Sequence, residues 1–142
     1  MDISYNNLGN NGAILLSKGL AGEINLRKLG IVDCKITLQG GEGFFLNLGS
    51  NASIQELYID NNKIGKAINV KIKGGESYIH TFQDFFEVNR CLVKITMSQC
   101  ELNDGGIKKL CYGLATNNTL RFLDLSNNEI GDDGAQLFAW AF

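Results

Sequence analysis

One stretch near the end of the chain decides the fold, LRFLDLSNNEIGDDG at residues 120–134. Its apolar residues alternate at Leu123 and Leu125, which is the pattern of a short strand with one buried face. From Gly134 onward the apolar residues are instead spaced by three and four, as on one face of a helix. The stretch therefore predicts a unit made of a strand, a turn and a helix.

The same apolar columns recur along the chain. Steps of 28, 38, 28 and 28 residues lead from Leu123 back to Ile95, Leu57, Leu29 and Met1. A period of this size is typical of a solenoid. We predict a single domain over residues 1–142, with repeats near 1–28, 29–56, 57–94, 95–122 and 123–142 and an insertion at about 65–76.

The second half of each unit predicts a helix with one buried face. Trp140 and Leu137 fall off the repeated columns and are expected to be exposed, whereas Ser17 is a polar member of a buried column. The predicted columns are Ala13, Leu16, Leu20; Gly41, Phe44, Phe45, Leu48; Ile79, Phe82, Phe86; Ile107, Leu110, Cys111, Leu114; and Ala135, Phe138, Ala139, Phe142.

One unit cannot cover its own apolar face, so the units must stack on one another. Strands stacked at about 4.8 Å form a parallel sheet. Helices are about 10 Å wide, so the stack curves with the sheet on its concave side and the helices on its convex side. The expected fold is α/β, a curved right-handed βα solenoid of about five repeats.

The motif LxxLxLxxNxIxxxG describes residues 120–134 at every fixed position, and it resembles the ribonuclease-inhibitor-like class of leucine-rich repeats. The resemblance extends over essentially the whole chain. One polar column supports it, because a buried amide at this turn can bond the neighbouring backbone. That column reads Asn6, Cys34, Asn62, Cys100, Asn128. Asn51 and Asn117 also occupy equivalent positions and are expected to be turn residues.

The resemblance implies a module that binds another protein on its concave strand face. Repeats of this class are found in ribonuclease inhibitor, in Ran GTPase-activating protein and in nucleotide-binding innate-immune receptors. A GTPase-activating or other regulatory role is one alternative, and a self-assembling structural solenoid is another. No residues match the rim positions that GTPase activation needs, so a binding module is the favoured interpretation.

Composition narrows the remaining classes of function. The net charge of -2 and a pI of about 5.3 leave no positive excess to attract a nucleic-acid backbone. No apolar run approaches the length of a membrane span, and the start of the chain lacks the pattern of a signal peptide. We therefore expect a cytoplasmic chain without nucleic-acid or membrane partners.

The sequence also offers no catalytic, metal or cofactor site. The cysteines form no CxxC pair, and His80, the sole histidine, is expected to face outward without a placed orienting partner. The Gly-rich stretches match neither phosphate-binding motif. The prediction is a chain that is not an enzyme and holds no cofactor.

The outward strand positions are the candidate binding site. They mix aromatic rings with charged groups, as protein-binding surfaces do. The residues expected to meet a partner are Tyr5, Lys28, Glu56, Tyr58, Asp60, Lys94, Phe122 and Asp124.

The insertion and the two ends depart from the repeat pattern. The inserted segment alternates apolar and basic residues, which predicts a β-hairpin or a protruding loop. Its lysines Lys66, Lys71 and Lys73 are a candidate contact for an acidic partner, or charges that protect an exposed strand edge. Both ends lack the polar caps of a solenoid, which indicates a fragment of a longer protein or pairing between copies of the chain.

Overall fold

The computed structural model describes residues 1–22, 25–65 and 79–142, and strands alternate with helices along it. Four strands form one parallel sheet in chain order. The elements are α1 (Gly9–Gly19), β1 (Lys28–Gly30), α2 (Leu38–Leu48), β2 (Glu56–Tyr58), α3 (Phe82–Val88), β3 (Lys94–Thr96), α4 (Asp104–Leu114), β4 (Phe122–Asp124) and α5 (Asp132–Ala141). Every helix among these residues is too short or too polar to span a bilayer.

The strand register follows the predicted columns. Leu29 pairs with Leu57, Leu57 with Ile95, and Ile95 with Leu123. The first repeat is the exception, because only Asp2 forms a bridge, to Gly30. The sequence predicted a full strand there. Beyond the single bridge the backbone still bonds to the second repeat, because Ile3 N–H donates to Gly30 O at 2.9 Å and Tyr5 N–H donates to Val32 O at 2.7 Å.

The core lies between the sheet and the helices. Interior members of the strand columns are fully buried, and a group of five phenylalanines fills the space between α2 and α3. Their rings pack edge to face, with centroids 4.9 Å apart for Phe85 and Phe86 and 5.0 Å apart for Phe45 and Phe82. Phe85 was not in the predicted column, yet it is 2% exposed.

The last helix corrects part of the sequence prediction. Ala135, Ala139 and Phe142 were expected to be buried but are exposed. Leu137, expected to be exposed, packs against the core together with Phe138. The reason is geometric: among the described elements α5 packs against α4 alone, so the remaining sides of this helix are exposed.

The predicted polar column forms a buried hydrogen-bond ladder. The Asn62 amide accepts from the backbone N–H groups of Cys34 and Ile36, at 3.0 and 3.1 Å, and donates to Ile31 O at 2.9 Å. Asn128 bonds in the same way to Cys100 and Leu102 of the preceding repeat. The backbone of one repeat is thus satisfied by the side chain of the next.

A second ladder lies at the end of the sheet where the strands begin. Sequence reasoning predicted Asn51 and Asn117 as equivalent turn residues but missed Asn89 and the hydrogen bonds between repeats. The amides of Asn51, Asn89 and Asn117 each accept two N–H bonds within their own turns. Each also donates to a preceding repeat, as Asn51 does to Leu20 O at 2.6 Å. The repeat steps of 38 and 28 residues connect these asparagines, so the signal was in the sequence.

The third repeat is tied to the second where the described chain resumes after residue 78. The Glu42 carboxylate accepts from the backbone N–H groups of His80 and Thr81, just before α3. His80 is exposed, as predicted. The expected hairpin or loop, with Lys66, Lys71 and Lys73, lies outside the described residues.

Candidate functional site

The sheet side that points away from the helices is the candidate binding surface, here called the strand face. Its side chains lie in three rows across the sheet, followed by a rim. Row one is Lys28, Glu56, Lys94 and Phe122; row two is Asp2, Gly30, Tyr58, Thr96 and Asp124; row three is Ser4, Val32, Asp60, Ser98 and Ser126; and the rim is Tyr5, Asp33, Asn61, Gln99 and Asn127.

Alternating cations and aromatic rings cross four strands of this face. The Lys28 ammonium lies 4.6 Å from the centroid of the Tyr58 ring. Lys94 lies between two rings, 5.1 Å from the centroid of Tyr58 and 4.7 Å from that of Phe122. These distances are within the range of cation–π attraction. We call these four residues the cation–aromatic stripe.

Glu56 holds the stripe in place. The Tyr58 hydroxyl donates a 2.6 Å hydrogen bond to the Glu56 carboxylate, and Lys28 lies 3.5 Å from the same carboxylate. The hydrogen bond from Tyr58, with the nearby Lys28 charge, lowers the pKa of Glu56. The hydrogen bond with Tyr58 likewise raises the pKa of Lys28. Both groups therefore stay charged at neutral pH, and the tyrosine ring has fixed neighbours.

Carboxylates dominate the rest of the face. Asp60 accepts from Thr96 Oγ1 at 2.5 Å and from the backbone N–H of Ser98 at 2.7 Å. Asp2 and Asp124 each accept from the backbone N–H two residues further on, at 3.0 and 2.9 Å. Hydrogen bonds from Ser4 and Ser126 lower the pKa values of Asp2 and Asp124, which keeps both ionised. With Asp33 on the rim, these residues form what we call the acidic side.

The rim bends the chain away from the sheet in the same way in each repeat. All five rim residues have φ between 46° and 62°, in the left-handed region. Asn and Asp adopt this conformation readily, whereas Tyr5 and Gln99 adopt it at some cost in strain. Tyr5 is 78% exposed as a result of its position.

Gly30 creates a hollow in the middle of the first strands. An open depression of about 380 Å³ lies over Gly30 and is lined also by Met1, Asp2, Ser4, Tyr5, Lys28, Val32 and Tyr58. A Cβ atom at Gly30 would come within 2.6 Å of the Asp2 carboxylate. Asp2 and Gly30 were not among the predicted contact residues, although a glycine at an outward strand position is a signal for such a gap.

The structure brings most of the predicted contact residues together. Lys28, Glu56, Tyr58, Lys94 and Phe122 form one connected group, and Asp60 and Asp124 flank it. Tyr5 lies apart on the rim, beside the hollow.

No cluster of metal-ligating side chains occurs in the described part of the chain. The four cysteines are free thiols, and burial raises the pKa of Cys100 to about 12 and that of Cys111 to about 11. A thiol held in its protonated form is a poor nucleophile.

Comparison with known proteins agrees with this geometry. A family model for a leucine-rich repeat matches residues 1–17, 88–111 and 116–139. The chain is similar to ribonuclease inhibitor of Sus scrofa, with 28% identity over 96% of this chain and 28% of that protein. It is also similar to NACHT, LRR and PYD domains-containing protein 3 of Bos taurus, with 31% identity over 96% of this chain and 12% of that protein.

The chain thus spans less than a third of the length of these relatives. Among solved structures, it is similar to leiomodin-1 actin-binding site 2, with a TM-score of 0.70 and 15% identity. The match covers 99% of this chain and 77% of the other. At this identity the likeness shows a shared fold.

Proposed function

Because this chain is a solenoid of ribonuclease-inhibitor-like leucine-rich repeats, we propose that it is an interaction module that binds a protein partner on its strand face. The cation–aromatic stripe is the observation that carries the proposal. It places two aromatic rings and two lysines side by side on one exposed surface. Tyrosine is among the side chains that contribute most to binding energy at protein interfaces.

The stripe is suited to binding because much of its order exists before a partner arrives. Tyr58 is bonded to Glu56, and Lys94 is held between two rings. Binding of a partner would therefore cost less conformational entropy in these side chains. Phe122 is 48% exposed, so its ring retains apolar surface to bury.

The names of the similar proteins point in the same direction. One is an inhibitor of ribonuclease, and another is an actin-binding site. In both descriptions the molecule acted upon is a protein. For this chain we therefore propose only that the partner is a protein.

A capture experiment tests the proposal. We expect that the chain, immobilised, retains specific proteins from a cell extract, and that Tyr58→Ala and Phe122→Ala each lose them. Leu46→Ala is the matched control, because Leu46 is 66% exposed on helix α2, away from the strand face. If both strand-face variants retain the same proteins as the original chain, the strand face is not the binding surface.

We also propose a cytoplasmic location. All four cysteines are free, and two of them, Cys34 and Cys100, occupy the buried hydrogen-bond ladder as thiols. Free thiols at structural positions are typical of proteins in a reducing compartment.

Self-association is a second candidate, favoured by the apolar surface of the fifth repeat. Leu123 is only partly buried, whereas its counterparts in the interior repeats are fully buried. Trp140 is 61% exposed and Phe142 83% exposed on the same helix end. A second copy of the chain that covered this surface would remove its apolar groups from water.

Light scattering after size-exclusion chromatography tests this candidate. If a second copy covers the surface, the chain forms dimers or larger assemblies, and Phe142→Glu converts them to monomers. Leu46→Glu makes the same change on an exposed apolar residue of α2 and should leave the assembly intact. A chain that stays monomeric at high concentration would exclude self-association.

A further inference from the structure

We propose that the partner contacts the strand face through an amphipathic α-helix, laid across the strands, with carboxylates along one edge and basic side chains along the other. This inference rests on the proposed function and adds the shape and charge of the bound segment. Three features of the strand face carry it: the separation of its charges, the distance between the charged groups, and the hollow at Gly30.

Charge on the strand face is separated along the strand direction. Row one carries Lys28 and Lys94 against a single carboxylate, Glu56, so its net charge is +1. Rows two and three and the rim carry Asp2, Asp33, Asp60 and Asp124 and include no lysine or arginine. Beyond the rim, Lys35 is paired with Asp33 at 2.6 Å and Lys63 with Glu101 at 3.1 Å. A partner of uniform charge would be repelled by one side of this surface.

The dimensions of the face favour a helix over an extended segment. Asp60 lies four residues beyond Glu56 of row one, which corresponds to about 13 Å along a strand. A helix with its side chains is about 10 to 12 Å wide, so its two edges reach both row one and Asp60. An extended segment is about 5 Å wide in the plane of a sheet and would contact one side only.

The length of the bound helix follows from the strand spacing. The bridge at Asp2 and the four strands span about 19 Å across the sheet. A helix rises about 1.5 Å per residue, so about 13 residues cross the face. This is a length of between three and four turns, ordinary for a protein helix.

The hollow at Gly30 provides a place for a side chain near one end of the helix. It lies between the stripe residues Lys28 and Tyr58 and the acidic-side residue Asp2. Its lining includes the uncharged residues Gly30, Val32 and Tyr58. Its volume of about 380 Å³ lies within the range of pockets that bind small groups, so it can hold an apolar side chain. Between its two charged edges, the proposed helix carries a line of apolar side chains.

Two synthetic peptides of identical composition test the proposal. Both are stapled helices of about 14 residues with a leucine stripe. In the polarised isomer one edge carries glutamates and the other lysines, and in the mixed isomer each edge carries both. Binding of the labelled peptides to the chain is measured by fluorescence anisotropy at low salt, where exposed charges act most strongly.

We expect the polarised isomer to bind about tenfold more tightly than the mixed isomer, from several exposed ion pairs acting together. Lys94→Glu and Asp124→Lys should each reduce this ratio toward one. Lys108→Glu, on the exposed surface of α4, is the matched control and should preserve it. A thermal unfolding curve verifies that each variant is folded.

Equal binding of the two isomers, or no binding of either, overturns the proposal. Its failure can be separated from failure of the proposed function. If Tyr58→Ala still abolishes capture of a protein from the extract while the two isomers bind equally, the strand face binds a partner of another shape. If neither capture nor peptide binding depends on the strand face, both proposals fail.

Discussion

Asn62 shows how a single side chain joins two repeats. It is 1% exposed, and its amide serves two N–H donors and two carbonyl acceptors. The acceptors are Ile31 O of the preceding repeat and Ile59 O of its own repeat, both at 2.9 Å. A substitution therefore leaves buried polar groups of two repeats without partners, which costs more than the loss of one hydrogen bond.

We expect Asn62→Ala to lower the free energy of unfolding by about 2 to 5 kcal/mol, because several buried groups lose their partners. Urea unfolding followed by circular dichroism measures the change. Asn6→Ala is the matched control, since Asn6 occupies the same column but is exposed and bonds only to Ile3 O and Ser4 O. A similar loss for both variants would show that the ladder is not the source of stability.

Cys100 makes the stability of the folded chain depend on pH in the alkaline range. Burial raises its pKa from 9.0 to about 12, so the unfolded chain loses this proton at a lower pH than the folded chain. The contribution is fully present below pH 9 and declines as the pH rises from there toward 12. At pH 10.5 the loss of this contribution lowers the free energy of unfolding by about 2 kcal/mol.

Unfolding in urea at pH 7.5 and 10.5 measures this effect in the original chain and in Cys100→Ala. The substitution itself leaves a cavity, but that loss does not depend on pH. We expect the alkaline decrease to be smaller in Cys100→Ala. Equal decreases in the two chains would assign the pH dependence to other groups.

At the scale of elements, the packing of α3 on α4 depends on a glycine. A Cβ atom at Gly113 would lie 2.8 Å from both Gln83 O and Phe86 Cβ, and 3.1 Å from Phe82 O. Two of these contacts are backbone atoms of α3, so the helices would have to separate. Steric overlap of this kind outweighs the better helix propensity of alanine.

We therefore expect Gly113→Ala to destabilise the chain by about 1 to 3 kcal/mol, measured by chemical unfolding. Gly19→Ala is the matched substitution in α1, where no atom lies within 4 Å of the added Cβ. It should stabilise the chain by up to about 1 kcal/mol through helix propensity alone. A stabilising effect at Gly113 would mean that α3 can move away without cost.

The sequence predicted the buried residues of some elements more accurately than those of others. The strand columns were predicted to the residue, because Leu29, Leu57 and Ile95 alternate with polar neighbours in every unit. The buried face of α5 was not predicted correctly, since a helical period identifies an apolar face but does not identify the element that covers it. Ala139 has the spacing of a buried residue but is exposed.

For the whole molecule, the sequence located the candidate site but not its internal contacts. Which residues face away from the helices follows from alternation along the strands. That Lys94 lies between two rings depends on side-chain rotamers of three neighbouring strands, which no sequence pattern specifies. The hollow likewise arises from Gly30 only once the larger neighbours around it are in place.

A solenoid is stabilised by contacts between neighbouring repeats, so a residue's contribution depends on its place in the stack. Leu57 and Leu123 occupy the same column, but Leu57 is fully buried between Leu29 and Ile95 while Leu123 has a neighbour on one side only. We expect Leu57→Ala to cost about 3 kcal/mol or more and Leu123→Ala about half of that, because the second leaves a smaller cavity. Unfolding in urea, with dilution series to detect any association, gives both values. If the two substitutions cost the same in a monomeric sample, position in the stack does not control stability, and the description of this chain as a one-dimensional array of repeats would be wrong.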